Sequence, residues 1–350
     1  MKDQTLCIDT FSGSPREIGR AWGHAYRHLI QALFWEGNAY HRPHAVEAEL
    51  DELTERAMAK LRAHAPDYLI EMEAAAGECG LTLQQMVLRA DGFVYQRGPH
   101  RRPPTACFQV GIQSEPQGPI VGSIMDSARV CFAWWRIRPQ RGYAHLALTI
   151  PGTAMSGRGM NEAGLVVSES STPHAGADYE PDLLLHTLAT RRVLEECRTV
   201  QEAIDLMTAL PVSHTYVFAD AAGDLRGLQT TPAGHTVYET DDNAIVFANH
   251  VRDRDLLAKM IARGYSPEYR NADSELRVST AEALLRDHDG PRDFDLVKSI
   301  LSSHIGYPDS ICRDDNASTF IGMPVADAQH LYIAERFPCS QPFVKYAVLA

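Results

Sequence analysis

The sequence predicts an α+β fold in which antiparallel sheets are covered by helices. Three observations support this prediction. The first hundred residues are almost entirely helical in pattern, strand-like alternation begins at Cys107, and runs of strands then alternate with runs of helices. Such blocks are typical of α+β architectures rather than of regular βαβ units. With 350 residues, the chain is long enough for one large domain or two ordinary ones.

The N-terminal hundred residues show helical spacing behind one short strand. Residues 6–11 indicate that strand, and Ser14 and Glu17 supply the N-cap and third position of a helix that starts at Pro15. Apolar residues then follow the helical period. The predicted helices cover about 15–35, 45–64, 66–76 and 82–95.

The remainder of the chain alternates between strands and helices. Cys107–Ile112 and Pro119–Ile124 alternate like two strands joined by a turn at 114–118. Further strands are predicted at 131–138, 143–150, 164–169, 214–219, 225–230, 235–239, 244–248, 317–322, 329–334 and 343–349. Helices are predicted at 181–196, 199–209, 253–263, 274–286 and 293–303.

Composition and charge argue against several classes of function. The net charge of −12 disfavours nucleic acid as a partner, because phosphate recognition needs a basic surface. The start lacks the apolar core of a signal peptide, and no run of about 20 apolar residues predicts a membrane span. The seven cysteines are scattered and form no CxxC pair, which argues against structural zinc and a disulfide framework. We expect a cytoplasmic protein with no cofactor, bound metal or membrane partner.

Cys107 is the first candidate for chemistry, because it opens a strand after Pro103, Pro104 and two small residues. Proline ends helices and favours an extended residue before it, so a structural boundary falls here. From pattern alone, such a cysteine is most often a small buried apolar residue. At a chain's own N-terminus, however, its α-amino group could act as general base to the thiol. Asp126, which ends the next strand, could orient that amine, or it could simply close a turn.

Asn249 and His250 follow an apolar strand and offer two further roles. The Asn249 amide could donate to a developing oxyanion, or it could be an ordinary strand-end or helix N-cap residue. His250 could pair with Cys107 in an unprocessed cysteine hydrolase. The glycine-rich segment 157–164 matches neither a dinucleotide fingerprint nor a P-loop, so we interpret it as a hairpin with Gly164 at positive φ.

Taken in order, these segments resemble the family of acyl-coenzyme A:6-aminopenicillanic acid acyltransferases, which are cysteine-type N-terminal nucleophile hydrolases. The order and spacing of several short motifs over most of the chain carry the resemblance. The motifs are Gly19-Arg20-Ala21-Trp22-Gly23, Ala106-Cys107-Phe108, Pro119 to Asp126, Gly159 to Leu165, Ala248-Asn249-His250, Ala317-Ser318-Thr319 and Phe337-Pro338-Cys339.

The resemblance implies a four-layer αββα sandwich in a precursor that cleaves itself between Ala106 and Cys107. Residues 1–106 would form a helical propeptide or small subunit packed on the core. Residues 107–350 would form the catalytic subunit of a processed heterodimer. The resemblance assigns Cys107 as nucleophile and N-terminal base, Asp126 to the orientation of its amine, and Asn249 to the oxyanion.

Two positions depart from the related bile acid hydrolases. Those enzymes carry an arginine three residues before the catalytic aspartate, where this chain has Ser123, so bile acids lose support as substrates. They also place an asparagine in the oxyanion region after the hairpin. There this chain has Ser170 and Ser171, either of which could substitute; with Ser123 and His250 they are candidate neighbours of the substrate.

The expected substrate is an N-acyl amine, an acyl-amino acid or a β-lactam-like amide, with acyl-coenzyme A as an alternative acyl donor. A thioester on Cys107 would pass to water in an amidase or to an amine in an acyltransferase. The acidic surface favours a cationic amine over an anionic one. Two alternatives stay open: an unprocessed hydrolase that uses Cys107 with His250, and a binding protein that keeps the fold without catalysis.

Overall fold

The computed structural model describes residues 6–32, 47–91, 106–126, 132–172, 183–264 and 272–349. The N-terminal part forms β1 (Asp9–Gly13), α1 (Pro15–Ala25), α2 (Glu47–His64), α3 (Pro66–Cys79) and α4 (Leu83–Asp91). The middle forms β2 (Ala106–Ser114), β3 (Gly118–Asp126), β4 (Ala133–Pro139), β5 (His145–Thr149), β6 (Gly159–Asn161), β7 (Val166–Ser170), α5 (His186–Glu196) and α6 (Val200–Ala209). The remainder forms β8 (His214–Ala219), β9 (Leu225–Thr231), β10 (Gly234–Tyr238), β11 (Ala244–Phe247), α7 (Arg254–Ala262), α8 (Ala272–Arg286), α9 (Phe294–Leu301), β12 (Asn316–Met323), β13 (Asp327–Glu335) and β14 (Val344–Ala347).

The helix boundaries in the N-terminal part follow local capping chemistry. At the start of α1, Ser14 and Glu17 form the predicted capping box, in which each side chain accepts from the other residue's backbone N–H. The helix predicted to continue to about 35 is interrupted after Ala25, and 33–35 lie outside the described residues. Helix α3 runs three residues beyond the predicted end, because the left-handed residue that stops it is Gly80, at φ 67°.

Two sheets account for the strands of the described residues. The larger has eight strands in the order β1-β4-β5-β6-β7-β8-β9-β10, and the smaller has six in the order β11-β2-β3-β12-β13-β14. Strand β1 joins β4 in parallel, and the other neighbours are antiparallel. The predicted β2–β3 hairpin is present, and the predicted turn before β7 has Gly164 at φ 82°. The short strand β6 was not predicted.

Three apolar clusters separate four layers of structure. One lies between the eight-stranded sheet and helices α1, α3, α5 and α6, and includes Trp22, Met72, Trp135, Leu188 and Ile204. The second lies between the two sheets and includes Val121, Trp134, Val166, Val217 and Phe320. The third lies between the six-stranded sheet and helices α8 and α9, and includes Phe108, Val110, Val278, Val297 and Ile300. The predicted α+β fold with αββα layers is confirmed.

The chain before Cys107 is built into this sandwich. Strand β1 is an edge strand of the larger sheet, and α1 packs against α3. Trp22 Nε1 of α1 donates to Glu71 Oε1 of α3 at 2.7 Å. Glu71 in turn accepts two hydrogen bonds from Arg191 of α5, which lies after Cys107 in the chain. The chain on either side of residues 106/107 therefore contributes to the same core.

Candidate active site

Cys107 lies in β2 with its side chain directed between the two sheets. Side chains alternate along a strand, so Phe108 and Val110 face helices α8 and α9, whereas Cys107 and Gln109 face the larger sheet. The Cys107 residue is 2% exposed, and Met125 of β3 lies opposite it. Ala106, the predicted cleavage residue, pairs with Asp126.

Arg158, which immediately precedes β6, reaches across the gap between the sheets to Cys107. Its Nη2 lies 3.3 Å from Cys107 Sγ and donates to the Glu169 carbonyl oxygen at 2.7 Å. Its Nη1 donates to Ser123 Oγ at 2.7 Å, and the arginine is 1% exposed. The sequence alone does not explain why serine stands at position 123. In the structure the Ser123 hydroxyl oxygen accepts a hydrogen bond from a guanidinium of the opposite sheet. An arginine is present beside the thiol, although it is not contributed by the position that bile acid hydrolases use.

Two glycines make room for this arginine. A Cβ on Gly159 would lie 2.2 Å from the Leu146 carbonyl oxygen, and a Cβ on Gly157 would lie 2.9 Å from Glu169 Oε1. A side chain at 159 would collide with backbone, whereas one at 157 would displace the Glu169 carboxylate. The Gly-Arg-Gly sequence therefore permits close backbone packing while it projects one long cationic side chain toward the thiol.

The Asp126 carboxylate is held by three groups. Arg313 Nη2 donates to Oδ2 at 2.8 Å, Asn316 Nδ2 donates to Oδ1 at 2.5 Å, and Arg277 Nη1 lies 3.7 Å from Oδ2. Burial raises the pKa of Asp126, and the attraction of Arg313 and then Arg277 opposes that rise. Its negative charge in turn raises the pKa of the nearby Cys107 thiol.

Arg277 connects Cys107 to Asn249. Its Nη1 donates to the Cys107 carbonyl oxygen at 2.8 Å, and its Nη2 donates to Asn249 Oδ1 at 2.9 Å. Asn249 Oδ1 also accepts from the Cys107 backbone nitrogen at 3.2 Å. The Asn249 amide therefore contacts Cys107 through its oxygen, while its Nδ2 donates to the Ser171 carbonyl and hydroxyl oxygens.

The remaining candidates occupy supporting positions. Ser170 Oγ donates to the Ala248 carbonyl oxygen at 2.5 Å and accepts from Gln109 Nε2, so it joins β7 to β2 and to the residue before Asn249. His250 Nδ1 lies 2.7 Å from Ser274 Oγ. The structure thus brings Ser123, Ser171 and Asn249 into the polar network around Cys107, and Ser170 lies beside that network. The His250 ring has a hydrogen-bond partner in α8.

The thiol of Cys107 is held in its neutral form in this arrangement. Burial raises its pKa, and the nearby charge of Arg158 opposes the increase. Glu169 is also buried, and desolvation raises the pKa of its carboxyl to about 7. The site therefore contains a buried neutral thiol with a guanidinium 3.3 Å from its sulfur.

The family profile of acyl-coenzyme A:6-aminopenicillanic acid acyl-transferase matches residues 125–321, which are 197 of the 350 residues. The chain belongs to this family. Asp126, Arg158, Asn249, Arg277 and Arg313 lie within the matched region, and Cys107 precedes it. The resemblance inferred from the sequence motifs is confirmed.

Three solved hydrolase structures are similar to this chain at low sequence identity. An N-acylethanolamine-hydrolyzing acid amidase ortholog from Caenorhabditis elegans is 16% identical with a TM-score of 0.48, covering 63% of this chain and 93% of that chain. A mutant conjugated bile acid hydrolase from Clostridium perfringens is 11% identical with a TM-score of 0.44, covering 65% and 89%. Penicillin V acylase from Agrobacterium tumefaciens is 15% identical with a TM-score of 0.44, covering 65% and 83%. No curated protein sequence matches the chain.

Sequence reasoning missed the arginines of this family member, although one left a signal. Ser274, Arg277, Val278, Ala281 and Leu285 share one face of α8 at helical spacing, so a cation lies among residues that face the core. Arg158 lies between two glycines in segment 157–164, whose composition indicates a turn and gives no sign of a functional cation. Arg313 lies in an irregular segment before β12, where no periodic pattern could distinguish it from a surface residue.

No helix within the described ranges combines the length and the apolar character needed to cross a bilayer. The cytoplasmic location expected from the cysteines stays a prediction. The expected lack of a cofactor likewise stays a prediction.

Proposed function

We propose that this family member is a cysteine amidase or acyltransferase that cleaves its own chain between Ala106 and Cys107. The observation that carries the proposal is the double restraint on Cys107. Arg158 contacts its thiol, and Asn249 accepts from its backbone nitrogen. One residue thus has an electrostatic partner at its sulfur and a hydrogen-bond partner at the nitrogen that cleavage would release.

Self-cleavage would begin with attack of Cys107 Sγ on the carbonyl carbon of Ala106. A carbon–sulfur bond forms as the carbon–nitrogen bond breaks, and the thiol proton is transferred to the departing nitrogen. Water then hydrolyses the thioester, which leaves a carboxylate on Ala106 and restores the Cys107 thiol. The products are chains of 106 and 244 residues (350 − 106 = 244).

The new N-terminal amine would then supply the base that the buried thiol lacks. An α-amino group has an ordinary pKa of about 7.7–8.0, so it can accept the thiol proton near neutral pH. Asn249 Oδ1 is already placed to hold this nitrogen, and Arg158 to stabilise the thiolate. Asp126, on the paired strand, would orient the amine.

Mature Cys107 would attack the carbonyl of an N-acyl amine or acyl-amino acid and form a thioester. Asn249 Nδ2 would serve the oxyanion when it turns from Ser171 to the substrate oxygen. Water would complete an amidase reaction, and an amine would complete an acyl transfer. The acidic composition supports a substrate whose amine part is cationic. Assays of matched N-acyl amines and N-acyl acids would test this preference, and faster turnover of the acids would contradict it.

The contacts of His250 support N-terminal nucleophile chemistry over a Cys–His pair. Its Nδ1 lies 2.7 Å from Ser274 Oγ, and among the described residues the Cys107 sulfur lies 3.3 Å from Arg158 Nη2 and 3.5 Å from Met125 Sδ. A histidine general base must approach the proton it removes to about 2.6–3.2 Å. The charged group in contact with the sulfur is Arg158, at 3.3 Å, and a guanidinium can stabilise a thiolate but cannot remove its proton.

Denaturing intact-mass measurement of the purified chain tests the processing step. Wild type should give two fragments, residues 1–106 and 107–350, whereas Cys107→Ala should give one full-length species. Cys79→Ala is a matched control, because Cys79 is also buried but lies in the helical layer. It should process like wild type. A single full-length species in all three proteins would contradict the proposal.

A further inference from the structure

Two thiols and one imidazole meet outside the active site. The ligand atoms of His304, Cys312 and Cys339 all lie within 4.8 Å of one another. Cys312 is buried, whereas His304 and Cys339 are exposed. The ligands are separated by 8 and 27 residues (312 − 304 and 339 − 312), so no compact motif reveals them in the sequence.

Backbone hydrogen bonds hold two of these ligands in place. The Cys312 nitrogen donates to the Ser303 carbonyl oxygen at 2.9 Å, which closes the loop that follows α9. Cys339 lies in a turn after β13, where the nitrogens of Ser340 and Gln341 both donate to the Phe337 carbonyl oxygen. The two thiols are therefore brought together by the folded backbone and not by a flexible tail.

We propose that His304, Cys312 and Cys339 bind a zinc ion, with water as the fourth ligand. Zinc takes cysteine sulfur at about 2.3 Å and histidine nitrogen at about 2.0–2.1 Å, which places tetrahedral ligand atoms about 3.5–3.8 Å apart. The present separations reach that range with shifts of about 1 Å, which the exposed His304 and Cys339 side chains can make. Magnesium and calcium do not fit, because they require oxygen ligands.

A second cluster illustrates why the identity of the ligand residues alone is insufficient to predict a metal site. The ligand atoms of Glu169, His186 and His214 also lie within 4.8 Å of one another. The two imidazole rings, however, stack with centroids 3.6 Å apart and planes 10° from parallel. Their in-plane lone pairs therefore lie in separate parallel planes and do not converge on one ion. The His304–Cys312–Cys339 cluster has no such stacked pair.

The zinc site would support the active site through the chain neighbour of one ligand. Cys312 immediately precedes Arg313, whose guanidinium donates to both Asp126 and Asp273. Asn316, four residues after Cys312, also donates to Asp126. An ion at Cys312 would connect the segment that holds Asp126 to the turn after β13. The zinc ion takes no part in the proposed reaction and would hold the two segments together through its three protein ligands.

Metal analysis of the untagged full-length chain tests this proposal. After loading with zinc and gel filtration in metal-free buffer, wild type should retain about one zinc per chain, as expected for one structural site. Cys339→Ser should bind zinc more weakly by at least about 100-fold, because even partners outside the ligand shell contribute about 10- to 100-fold. Cys7→Ser is the matched control, since Cys7 is also exposed, and it should retain zinc as wild type does.

Cobalt substitution and thermal unfolding identify the ligands without recourse to activity. Cobalt-loaded wild type should show thiolate charge-transfer absorption and the intense visible bands of tetrahedral cobalt, and Cys339→Ser should lose them. Zinc should raise the unfolding temperature of wild type but not of Cys339→Ser. Circular dichroism verifies that the variant is folded. Equal zinc retention in wild type and Cys339→Ser would overturn the proposal, as would a Cys312–Cys339 disulfide in a wild type that takes up no zinc.

Discussion

Two buried arginines on opposite faces of the eight-stranded sheet bind different kinds of partner. Arg191 of α5 faces the helical layer, where its Nη1 and Nη2 donate to the two carboxylate oxygens of Glu71 at 2.9 and 2.7 Å. Its Nε donates to Glu195 at 2.9 Å. Two carboxylates therefore surround the Arg191 cation, and Coulomb attraction to Glu71 and Glu195 raises its pKa despite burial.

Arg158 faces the smaller sheet and has neutral partners instead. It contacts a hydroxyl, a carbonyl oxygen and the Cys107 thiol, and within the described residues its Nε has no hydrogen-bond partner. A buried cation without an ion-pair partner is costly unless a negative charge develops nearby. Arg191 therefore stabilises the fold, whereas Arg158 lies where the proposed mechanism would place an anion on Cys107.

The largest effect on stability should come from Arg191→Met. This change leaves the Glu71 carboxylate buried and unpaired, which should lower the free energy of unfolding by about 3–5 kcal/mol. Arg192→Met is the matched control, because Arg192 forms a partly exposed i,i+4 pair with Glu196 and should cost less than about 1 kcal/mol. Urea denaturation measures both. Equal stability of the two variants would contradict the structural assignment, and Glu71→Gln combined with Arg191→Met should recover part of the loss.

Arg158→Met should differ from Arg191→Met in the opposite direction. It should cause a large loss of activity and a smaller loss of stability than Arg191→Met. Loss of one preorganised donor typically slows a reaction by about 10²–10³, and we expect that factor in the rate of self-cleavage. The Cys107 pKa should also rise, because the attraction that lowers it is removed. Iodoacetamide alkylation as a function of pH measures that shift, which a merely structural role would not produce.

Two companion variants sharpen the interpretation of Arg158. Arg158→Lys keeps the charge but loses the forked donor geometry, so it should retain part of the alkylation profile and of the cleavage rate. Ser123→Arg combined with Arg158→Ser moves the arginine from the larger sheet to position 123 of the smaller sheet. Cleavage by the double variant faster than by Arg158→Met would show that the cation matters more than its origin. Wild-type cleavage by Arg158→Met would refute the assigned role.

Much of the fold was accessible from sequence because its signals are local. The alternation around Cys107 and the capping pair Ser14 and Glu17 depend on residues that are close in the chain. The four-layer arrangement came from the family resemblance, whose motifs keep their order. Strand β6 escaped prediction because it has three residues, all buried, and thus no alternation between polar and apolar side chains.

The active site was only partly accessible, because its electrostatics depend on contacts between distant segments. Cys107 and Asn249 could be selected from strand position, and the structure joins them by a hydrogen bond across 142 residues. Arg158 reaches Ser123 across 35 residues and from the other sheet. No periodic sequence pattern encodes that contact. The role of Ser123 as an acceptor for Arg158 depends on how the two sheets pack against each other.

Glu169→Gln tests how the charge near Arg158 depends on pH. Burial raises the Glu169 pKa to about 7, and its neighbours are Thr190, which donates to it, His186 at 3.7 Å and the charge of Arg158. The folded state therefore holds this proton more tightly than the unfolded state, and the stability it contributes is lost as pH rises from about 4.5 to about 7, by up to about 3 kcal/mol.

The Glu169→Gln variant should lack this decrease in stability with rising pH. Urea denaturation at pH 5 and pH 8 measures the difference, and His186 is common to both proteins. Wild type should lose stability relative to Glu169→Gln as the pH rises. If both proteins show the same pH dependence, Glu169 is ionised throughout. Arg158 would then have an ionised carboxylate nearby, and its contrast with Arg191 would weaken.

Ser123→Ala should have the smallest effect, because it removes one acceptor of Arg158 and leaves the thiol contact in place. A buried charged donor that loses its partner should cost about 1–2 kcal/mol in the free energy of unfolding. Ser168→Ala provides the control, since Ser168 is equally buried and its Oγ has no hydrogen-bond partner among the described residues. That change should be nearly neutral. If the two alanine variants are equally stable, Ser123 does not anchor the guanidinium, and the Arg158 position must be set by Glu169 and Cys107 alone.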